Sequence, residues 1–370
     1  MRAVKLKESV CAILAAMATG LLLGGCGKGP EYPGKNWKML SPGEAGFDPE
    51  KLDSFVDHVG GSGCVIRGGK MVKSWGHDDH PLDIASAVKV VYAHFVYMLI
   101  KDGRIESLDD PVMVFEPRLR DLNADLKYKD RKITWRHLVT QTACYGVREA
   151  PGTAFDYSDY QSALLIDTVV FNVLRTGYYR ADEKLLGPML ADRIGMQDSP
   201  TLDGPNVPPG RLRISARDFA RFGLLYMRGG KWRSRQVIPP SYVQQALGAP
   251  HTAALPRTTQ EAAERIPDQR TIGSGENQEM HLNSYSYMWW LNGTMDDGQR
   301  VLEGVPADTI CAIGHAGGDA LVLMPGQDIV ICWIDGMEGK SAWRYSKNGR
   351  NYVIRAMGYF MQSLRGGSGD

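Results

Sequence analysis

The sequence predicts a mixed fold, in which an α/β domain takes its sheet from both ends of the chain and an all-α domain is inserted between them. Strand-like runs occur early, at 64–75, and return late, at 285–335, while helical segments broken by Pro and Gly fill the middle. One sheet shared by both ends is the most economical architecture for this order of elements. The sequence has no internal repeat with a period of about 20–50 residues, so a solenoid is not expected.

The composition is that of a globular protein. Of its 370 residues, 43% are hydrophobic and 23% are charged, which suffices for a packed core. The formal net charge of +1 lacks the basic excess of a protein that coats nucleic acid, so no nucleic-acid partner is predicted. Six cysteines are too few for a disulfide scaffold. Cys64 and Cys332 lie in strand-like runs and are expected to be apolar core residues.

Residues 1–25 have the pattern of an export signal. Basic residues precede an apolar stretch at 10–23, which is shorter than the about 20 residues that a membrane span needs. The sequence LGGC at 23–26 resembles the lipobox of bacterial lipoproteins, which implies cleavage before Cys26 and lipidation of its thiol. This resemblance predicts a protein of the bacterial cell envelope, held in the membrane by a lipid anchor at Cys26, on the periplasmic face or in the outer membrane. The alternative is an ordinary cleaved signal with a coincidental cysteine.

The α/β domain is predicted to comprise residues 38–110 and 281–365, after a tether at 26–37 that is rich in Gly, Pro and Lys. Its early elements, read from apolar spacing and turn residues, are a helix at 47–59, a hairpin at 64–75 and a helix at 85–100. Its late elements are strands at 285–292, 310–314, 320–324 and 329–335 and a helix at 349–364.

The inserted helical domain is predicted at 111–280. Its helices, each bounded by loops, are expected at 134–142, 161–174, 184–194 and 215–227. The polar and irregular segment 249–280 is expected to form a long loop.

A single S-x-x-K sequence is the first candidate for catalysis. Ser86 and Lys89 lie three residues apart at the start of a predicted helix, so the hydroxyl and the amine share one face. A helix N-terminus stabilises a developing alkoxide and lowers the pKa of a nearby lysine, which predicts an amine able to take the serine proton. The alternative is that Ser86 caps the helix and Lys89 is a solvated base. Sequence signatures of other common enzymes, such as a G-x-S-x-G elbow or a P-loop, are absent.

Two further segments agree with this motif in type and in order. The sequence PGTAFDYSDY at 151–160 resembles the P-G-x-x-F-x-Y-S-N loop of the serine β-lactamase and penicillin-binding-protein superfamily. The sequence GHAGG at 314–318 resembles the H-x-G variant of its third motif. The chain is most similar to the class C β-lactamase-related branch, which includes esterases, D-aminopeptidases and amide hydrolases acting on nylon oligomers. This resemblance implies a β-lactamase-like fold, in which helices flank an antiparallel sheet.

The resemblance also implies a serine hydrolase that works through an acyl-enzyme. Ser86 is expected to be the acylated nucleophile, and Lys89 either accepts its proton directly or holds Tyr157 as a phenolate. Tyr157 is expected to pass protons between the serine, the leaving group and the deacylating water. The backbone N–H groups of Ser86 and Gly318 are expected to form the oxyanion hole.

Two departures from the superfamily's motifs bear on the substrate. Asp159 stands where Asn is usual, so it cannot donate to a substrate amide and is expected either to hold Lys89 or to recognise an amine. His315 stands where β-lactamases have a lysine that attracts the β-lactam carboxylate, and an ordinary histidine is mostly neutral at pH 7. We therefore expect small esters or amides as substrates. The alternatives are a D-amino-acid peptidase or weak β-lactamase acting on cell-wall-type substrates, and a non-catalytic cell-wall-binding lipoprotein.

The remaining candidates carry less chemistry. The sequence HDDH at 77–80 has metal-ligand residue types, but it lies where a polar turn is expected and no further ligand cluster is evident, so no metal and no cofactor are predicted. Tyr145 is expected either to line the substrate pocket or to be structural. Trp289 and Trp290 alternate on a predicted strand, so one is expected to face the core and the other the cleft.

Overall fold

The structure is a computed structural model that describes residues 30–248, 255–273, 284–295, 298–336 and 348–365. The described helices and strands lie in one compact unit, Tyr32–Asp370. The predicted export signal and Cys26 lie outside the described residues. None of the described helices combines the length and the apolarity needed to cross a bilayer.

Within these described ranges, the strands form one seven-stranded sheet and two short two-stranded ribbons. In chain order they are β1 (Ser62–Arg67), β2 (Lys70–Trp75), β3 (Leu82–Asp83), β4 (Arg213–Ile214), β5 (Lys231–Trp232), β6 (Arg235–Gln236), β7 (Tyr285–Ser286), β8 (Trp289–Leu291), β9 (Ile310–Gly314), β10 (Asp319–Met324) and β11 (Ile329–Ile334). The large sheet has the order β2-β1-β11-β10-β9-β8-β7. β1 pairs antiparallel with β11, which confirms that both ends of the chain build the sheet.

The helices fall between the two groups of strands and at the two ends of the unit. In chain order they are α1 (Pro49–Val59), α2 (Lys89–Lys101), α3 (Trp135–Val139), α4 (Asp159–Asp167), α5 (Asp192–Ile194), α6 (Ala216–Met227), α7 (Pro240–Gly248) and α8 (Asn348–Ser363). Wider helical turns of the π type occur at Thr168–Val173 and Asp182–Ala191. This arrangement confirms the predicted β-lactamase-like fold.

Capping side chains set the helix ends. The Asp48 carboxylate accepts hydrogen bonds from the backbone N–H groups of Glu50 and Lys51, at 3.1 and 3.2 Å, and so begins α1. Ser215 Oγ accepts from the N–H of Asp218 at 3.1 Å and begins α6 in the same way. The helices predicted at 47–59 and 215–227 therefore begin two residues and one residue later than predicted, because Asp48 and Ser215 lie outside the helices as caps.

Helices cover both faces of the sheet. Trp333 of β11 packs edge-on against Phe55 of α1, with 6.1 Å between ring centroids. Cys64 of the neighbouring β1 points to α6, where its Sγ lies 3.7 Å from the carbonyl oxygen of Ala216. Gly223 allows α6 to approach the sheet closely, since a Cβ there would lie within about 3 Å of side chains on β10 and β11. The sheet is thus buried on both sides, and Cys64 is a core cysteine as expected.

Two predicted elements differ from the structure. The strand predicted at 285–292 is a tight hairpin, because Tyr287 and Met288 have φ angles of 38° and 70° and turn the chain between β7 and β8. The helix predicted at 161–174 ends as α-helix at Asp167 and continues as a π-type turn.

The predicted polar loop is described only in part. Residues 255–273 contain no helix or strand, apart from single bridges, and residues 249–254 and 274–280 lie outside the described part of the chain. The boundary between an α/β and a helical domain stays a prediction, because Tyr32–Asp370 group as one compact unit.

Candidate active site

Ser86 lies on a short 3₁₀ turn, Ala85–Val88, that leads directly into α2. Ala85 has a φ angle of 45°, which is costly for a residue with a Cβ and needs support from its surroundings. The Asp83 carboxylate gives part of that support by accepting the Ala85 N–H at 3.0 Å. No side-chain hydrogen bond caps the 3₁₀ turn or α2, so the alternative role of Ser86 as a helix cap does not fit the structure.

Lys89 lies beneath Ser86 and joins the first two motifs. Its Nζ donates to Ser86 Oγ at 2.9 Å and to Asp159 Oδ1 at 2.7 Å. A third hydrogen bond joins the same Nζ to Tyr157. Lys89 is 1% exposed while Ser86 is half-buried, so the amine is hidden from solvent and the serine is partly accessible.

The charge of Lys89 differs from the sequence-based expectation. Burial lowers the pKa of Lys89, but the Asp159 carboxylate and Tyr157 outweigh burial, and the pKa is raised above its ordinary value. The expected effect of the helix N-terminus does not decide the outcome, because a buried carboxylate at 2.7 Å acts more strongly. Lys89 is therefore an ammonium at neutral pH, and the expectation of a lowered pKa was wrong.

Tyr157 is buried and held between aromatic rings. Its ring centroid lies 5.7 Å from that of Tyr285 and 5.6 Å from that of Trp290, and Lys89 Nζ lies 4.6 Å from the Tyr157 ring. Trp289, by contrast, packs in the core beside Tyr226 of α6. Trp289 faces the core as predicted. Trp290 is also buried, and the turn between β7 and β8 places it against Tyr157, so its predicted position in the cleft stays a prediction.

The second motif is fixed by buried amides. The N–H of Ser158 donates to Gln141 Oε1 at 2.9 Å, and Gln161 Nε2 donates to the carbonyl oxygen of Asp156. Ser158 Oγ accepts the N–H of Tyr160 at 3.2 Å and so begins α4. These bonds hold the motif at both ends, which fixes the backbone that carries the tyrosine and Asp159.

Residues 255–273, which we call the covering segment, pack over this motif. A Cβ on Gly273 would lie 2.0 Å from Asp159 Oδ2, so only glycine allows the segment to pass this close. The guanidinium of Arg265 lies 3.8 Å from the ring centroid of Tyr160. Asp159 therefore has Lys89 on one side and backbone on the other, which favours its predicted role of holding Lys89 over recognition of an amine.

His315 begins a turn that joins β9 to β10. Its Nδ1 lies 2.6 Å from Asp319 Oδ2, and its Nε2 lies 3.3 Å from Arg211 Nη2. Because the carboxylate only accepts and the guanidinium only donates, this geometry is that of a neutral ring with its proton on Nδ1. Burial lowers the pKa of His315, but Asp319 outweighs burial and raises it above the ordinary value.

Gly318 does not present a free N–H in this conformation. Its N–H donates to the carbonyl oxygen of His315 at 3.1 Å, which closes the turn. An oxyanion hole that uses Gly318 would need this hydrogen bond to break when substrate binds. The role of Gly318 in the oxyanion hole stays a prediction, and it requires that its N–H leave the carbonyl oxygen of His315.

Tyr145 is a structural residue. It is 1% exposed, and its hydroxyl accepts the N–H of Ile266 at 2.9 Å. Its predicted role as a substrate-binding residue does not fit this environment, because the hydroxyl anchors the covering segment. Of the two roles that the sequence left open, the structural one is supported.

Three site residues escaped the sequence analysis. Asp319 pairs with His315, and Asp83 and Arg211 pair with each other at 2.5 Å beside it. The spacing of Asp319, four residues after His315, could have indicated a contact within a turn. Arg211 gave no signal, because only the pairing of β3 with β4 brings it beside the nucleophile.

The HDDH sequence forms a turn. The N–H of His80 donates to the carbonyl oxygen of His77 at 3.0 Å, and the backbone N–H of Arg217 donates to the carbonyl oxygen of Asp78 at 3.1 Å. Within the described ranges, no group of three or more potential ligands could hold a metal ion. The cysteines at 64, 144, 311 and 332 are buried and unpaired in the structure.

Comparisons with known proteins identify the family. The family model described as Beta-lactamase matches residues 50–334, which is most of the chain. The chain therefore belongs to the beta-lactamase family, within a superfamily of serine hydrolases.

Solved structures show the same fold. A proposed 6-aminohexanoate-dimer hydrolase from Bacillus anthracis has a TM-score of 0.55 and 16% identity, covering 84% of this chain and 80% of that one. A class C beta-lactamase from Rhodobacter sphaeroides has a TM-score of 0.53 and 16% identity, covering 85% and 97%. A penicillin-binding-protein homologue from Caulobacter crescentus has a TM-score of 0.53 and 12% identity, covering 86% and 99%. At such identities the likeness concerns the fold alone. A search of curated proteins gave no match.

Proposed function

We propose that this protein is an exported serine hydrolase that forms an acyl-enzyme on Ser86 and cleaves small esters or amides. The observation that carries the proposal is the network around Lys89, whose Nζ lies 2.9 Å from Ser86 Oγ and also binds Tyr157 and Asp159. The half-buried Ser86 hydroxyl lies beside a buried ammonium. This positive charge stabilises the alkoxide that forms during attack, so Ser86 is suited to act as a nucleophile.

In the acylation step, Ser86 Oγ attacks the carbonyl carbon of the substrate. The Oγ–C bond forms, the bond from that carbon to the leaving oxygen or nitrogen breaks, and the serine proton passes to the leaving group. Water then attacks the acyl carbon, releases the acid and returns a proton to Ser86. Tyr157 suits the transfer of these protons better than Lys89, because Asp159 holds Lys89 as a cation and a cation has no free electron pair for a proton.

The charges around the cleft support a substrate without a carboxylate. The charged network of the site consists, among the described side chains, of three ion pairs or charged hydrogen bonds: Lys89 with Asp159, Arg211 with Asp83, and His315 with Asp319. Its carboxylates are Asp83, Asp159 and Asp319, and its cations are Lys89 and Arg211. Each cation is already paired with a carboxylate, so no unpaired cation of the network remains for an anionic substrate. Neutral esters and amides fit this pairing better than penicillins, whose carboxylate would have to compete with Asp159 or Asp83 for these cations.

Covalent labelling of Ser86 tests the proposal. A fluorophosphonate probe should add one adduct to the wild type, mapped to Ser86 by mass spectrometry, and none to Ser86→Ala. Ser54→Ala, on the exposed face of α1, is the matched control and should label fully. A folded wild type that takes no label at Ser86 contradicts the proposal.

A substrate panel then separates the candidate activities. We expect turnover of p-nitrophenyl acetate or butyrate, little turnover of nitrocefin, and loss of all turnover in Ser86→Ala. Turnover of D-alanyl amides in preference to the esters would favour the D-amino-acid peptidase. Turnover that survives Ser86→Ala would point to a different site.

The proposed lipid anchor has its own test, and it rests on the LGGC sequence at 23–26. When cells are grown with a labelled fatty acid, the label should be attached to the wild-type protein and to the Cys11→Ala control, but not to the Cys26→Ala protein. Equal label in Cys26→Ala contradicts the anchor and leaves an ordinary cleaved signal.

A further inference from the structure

Arg211 contacts three parts of the site, although the proposed mechanism gives it no step. Its Nε and Nη2 donate to the two oxygens of Asp83, at 3.0 and 2.5 Å. Nη2 also lies 3.3 Å from His315 Nε2, and Nη1 donates to the carbonyl oxygen of Ile272 at 3.4 Å. The side chain is 14% exposed. One guanidinium thus touches the strand before the nucleophile, the third motif and the covering segment.

Asp83 transmits this contact to the nucleophile turn. The oxygen that accepts Arg211 Nε also accepts the N–H of Ala85, whose φ angle of 45° needs an external constraint. The turn rests on the end of β9 as well, since a Cβ on Gly314 would lie 2.1 Å from the carbonyl oxygen of Ile84. The position of Ser86 therefore depends on how the turn is held from Asp83 and from β9.

We infer that Arg211 is a positioning residue, which holds the turn that presents Ser86 through Asp83 and ties that turn to the third motif through His315. An arginine suits this role, because its planar fork binds both carboxylate oxygens and leaves an N–H for the imidazole. Lysine has a single nitrogen and cannot reach all these partners together. The inference rests on the proposed function, and it makes Asp83 and Arg211 a supporting pair rather than a site for a substrate carboxylate.

The contact between Arg211 and His315 can be measured through the pKa of His315, which an Arg211–Asp83 pair with a purely structural role would not change. Three charged groups act on His315, namely Asp319, Arg211 and Asp83. Arg211 lowers the pKa of His315, because a second proton on Nε2 would face the guanidinium, while Asp319 and Asp83 raise it. Removing the guanidinium should therefore raise the titration midpoint of His315.

The experiment compares Arg211→Gln and Arg211→Lys with Arg228→Gln. Arg228 forms a similar two-bond pair with Asp328, at 2.7 and 2.9 Å, beyond the end of β10 that lies away from His315. For each folded variant, the rate of fluorophosphonate labelling at Ser86 and the NMR titration of His315 are measured, with His315→Asn used to assign the resonance.

We expect labelling of Arg211→Gln to be about 100-fold slower than wild type and its His315 midpoint to be higher. Arg211→Lys, which keeps the charge without the fork, should recover part of the labelling rate, and Arg228→Gln should match wild type in both measurements. A wild-type labelling rate or an unchanged His315 midpoint in folded Arg211→Gln overturns the inference. If the wild type itself takes no label, the proposed function fails, and the His315 titration alone then decides whether Arg211 holds the third motif.

Discussion

The buried carboxyl of Asp156 predicts a protein that loses stability as the pH rises toward neutrality. Asp156 precedes Tyr157 and is 3% exposed. Burial raises the pKa of Asp156 from 3.8 to about 7, and Glu149 acts in the same direction while Lys129 opposes it. Since the raised pKa belongs to the folded state, folding favours the protonated carboxyl. This stabilising contribution is complete below pH 3.8 and is lost as the pH rises through about 7.

The size of the effect follows from the two pKa values. They differ by about 3 units, and each unit corresponds to about 1.4 kcal/mol, so the contribution changes by about 4 kcal/mol in total. Between pH 5 and pH 7, where wholesale acid unfolding does not interfere, the carboxyl should cost about 2–3 kcal/mol of the free energy of unfolding. Asp156→Asn removes the ionisation and keeps a group of similar shape, so its stability relative to wild type should rise by this amount over the same range.

The assay is urea unfolding of wild type and Asp156→Asn at several pH values from 5 to 7.5. Only the difference between the two proteins is interpreted, which cancels other titrating groups. Asp57→Asn, on the exposed face of α1, serves as the control. A difference between wild type and Asp156→Asn that stays constant from pH 5 to 7 would refute the reasoning, because it would mean that Asp156 does not titrate in this range.

Three further predictions concern the site, and each is measured as the rate of fluorophosphonate labelling. Tyr157→Phe keeps the ring packing but removes the proton carrier, so labelling should fall about 100-fold with little change in thermal unfolding; an unchanged rate would assign proton transfer elsewhere. Gly273→Ala would place a Cβ 2.0 Å from Asp159 Oδ2 and should slow labelling at least about 10-fold, whereas the control Gly248→Ala meets no atom within 4 Å and should not. In Asp159→Asn the pKa of the buried lysine should fall, because the carboxylate that opposes the effect of burial is gone, and the basic limb of the labelling–pH profile should move to lower pH. A basic limb that does not move would show that Asp159 does not set the charge of that lysine.

Much of this fold can be predicted because its signals are local. Turn residues between apolar runs mark the hairpin of β1 and β2, and the spacing of Phe55 and its neighbours marks α1. The hairpin of β7 and β8 escaped prediction, since Tyr287 and Met288 adopt positive φ angles that neither residue type favours. In that case tertiary packing, with Trp290 against Tyr157, outweighs local preference.

Only those features of the candidate site that depend on local sequence could be predicted. Ser86 and Lys89 can be found from their spacing, and Tyr157 from its motif, because those signals lie within one segment. The charge of the lysine could not be found from its spacing, since the sequence left two roles open for Asp159. Only the fold shows that this carboxylate, 70 residues away, lies 2.7 Å from Lys89 Nζ. Arg211 is a similar case, because its partners come from three separate parts of the chain.

The pairing of β1 with β11 has a consequence for how the molecule folds. Ser62 lies opposite Ile334, so two neighbouring strands of the sheet come from distant parts of the chain. Closing such a long loop costs conformational entropy before the pairing is formed, and folds dominated by distant contacts fold slowly. The turn that carries Ser86 rests on β9, so the nucleophile cannot acquire its final geometry until the late strands have been synthesised and have paired. A growing chain thus carries every residue of its first two motifs while still lacking the site that they form.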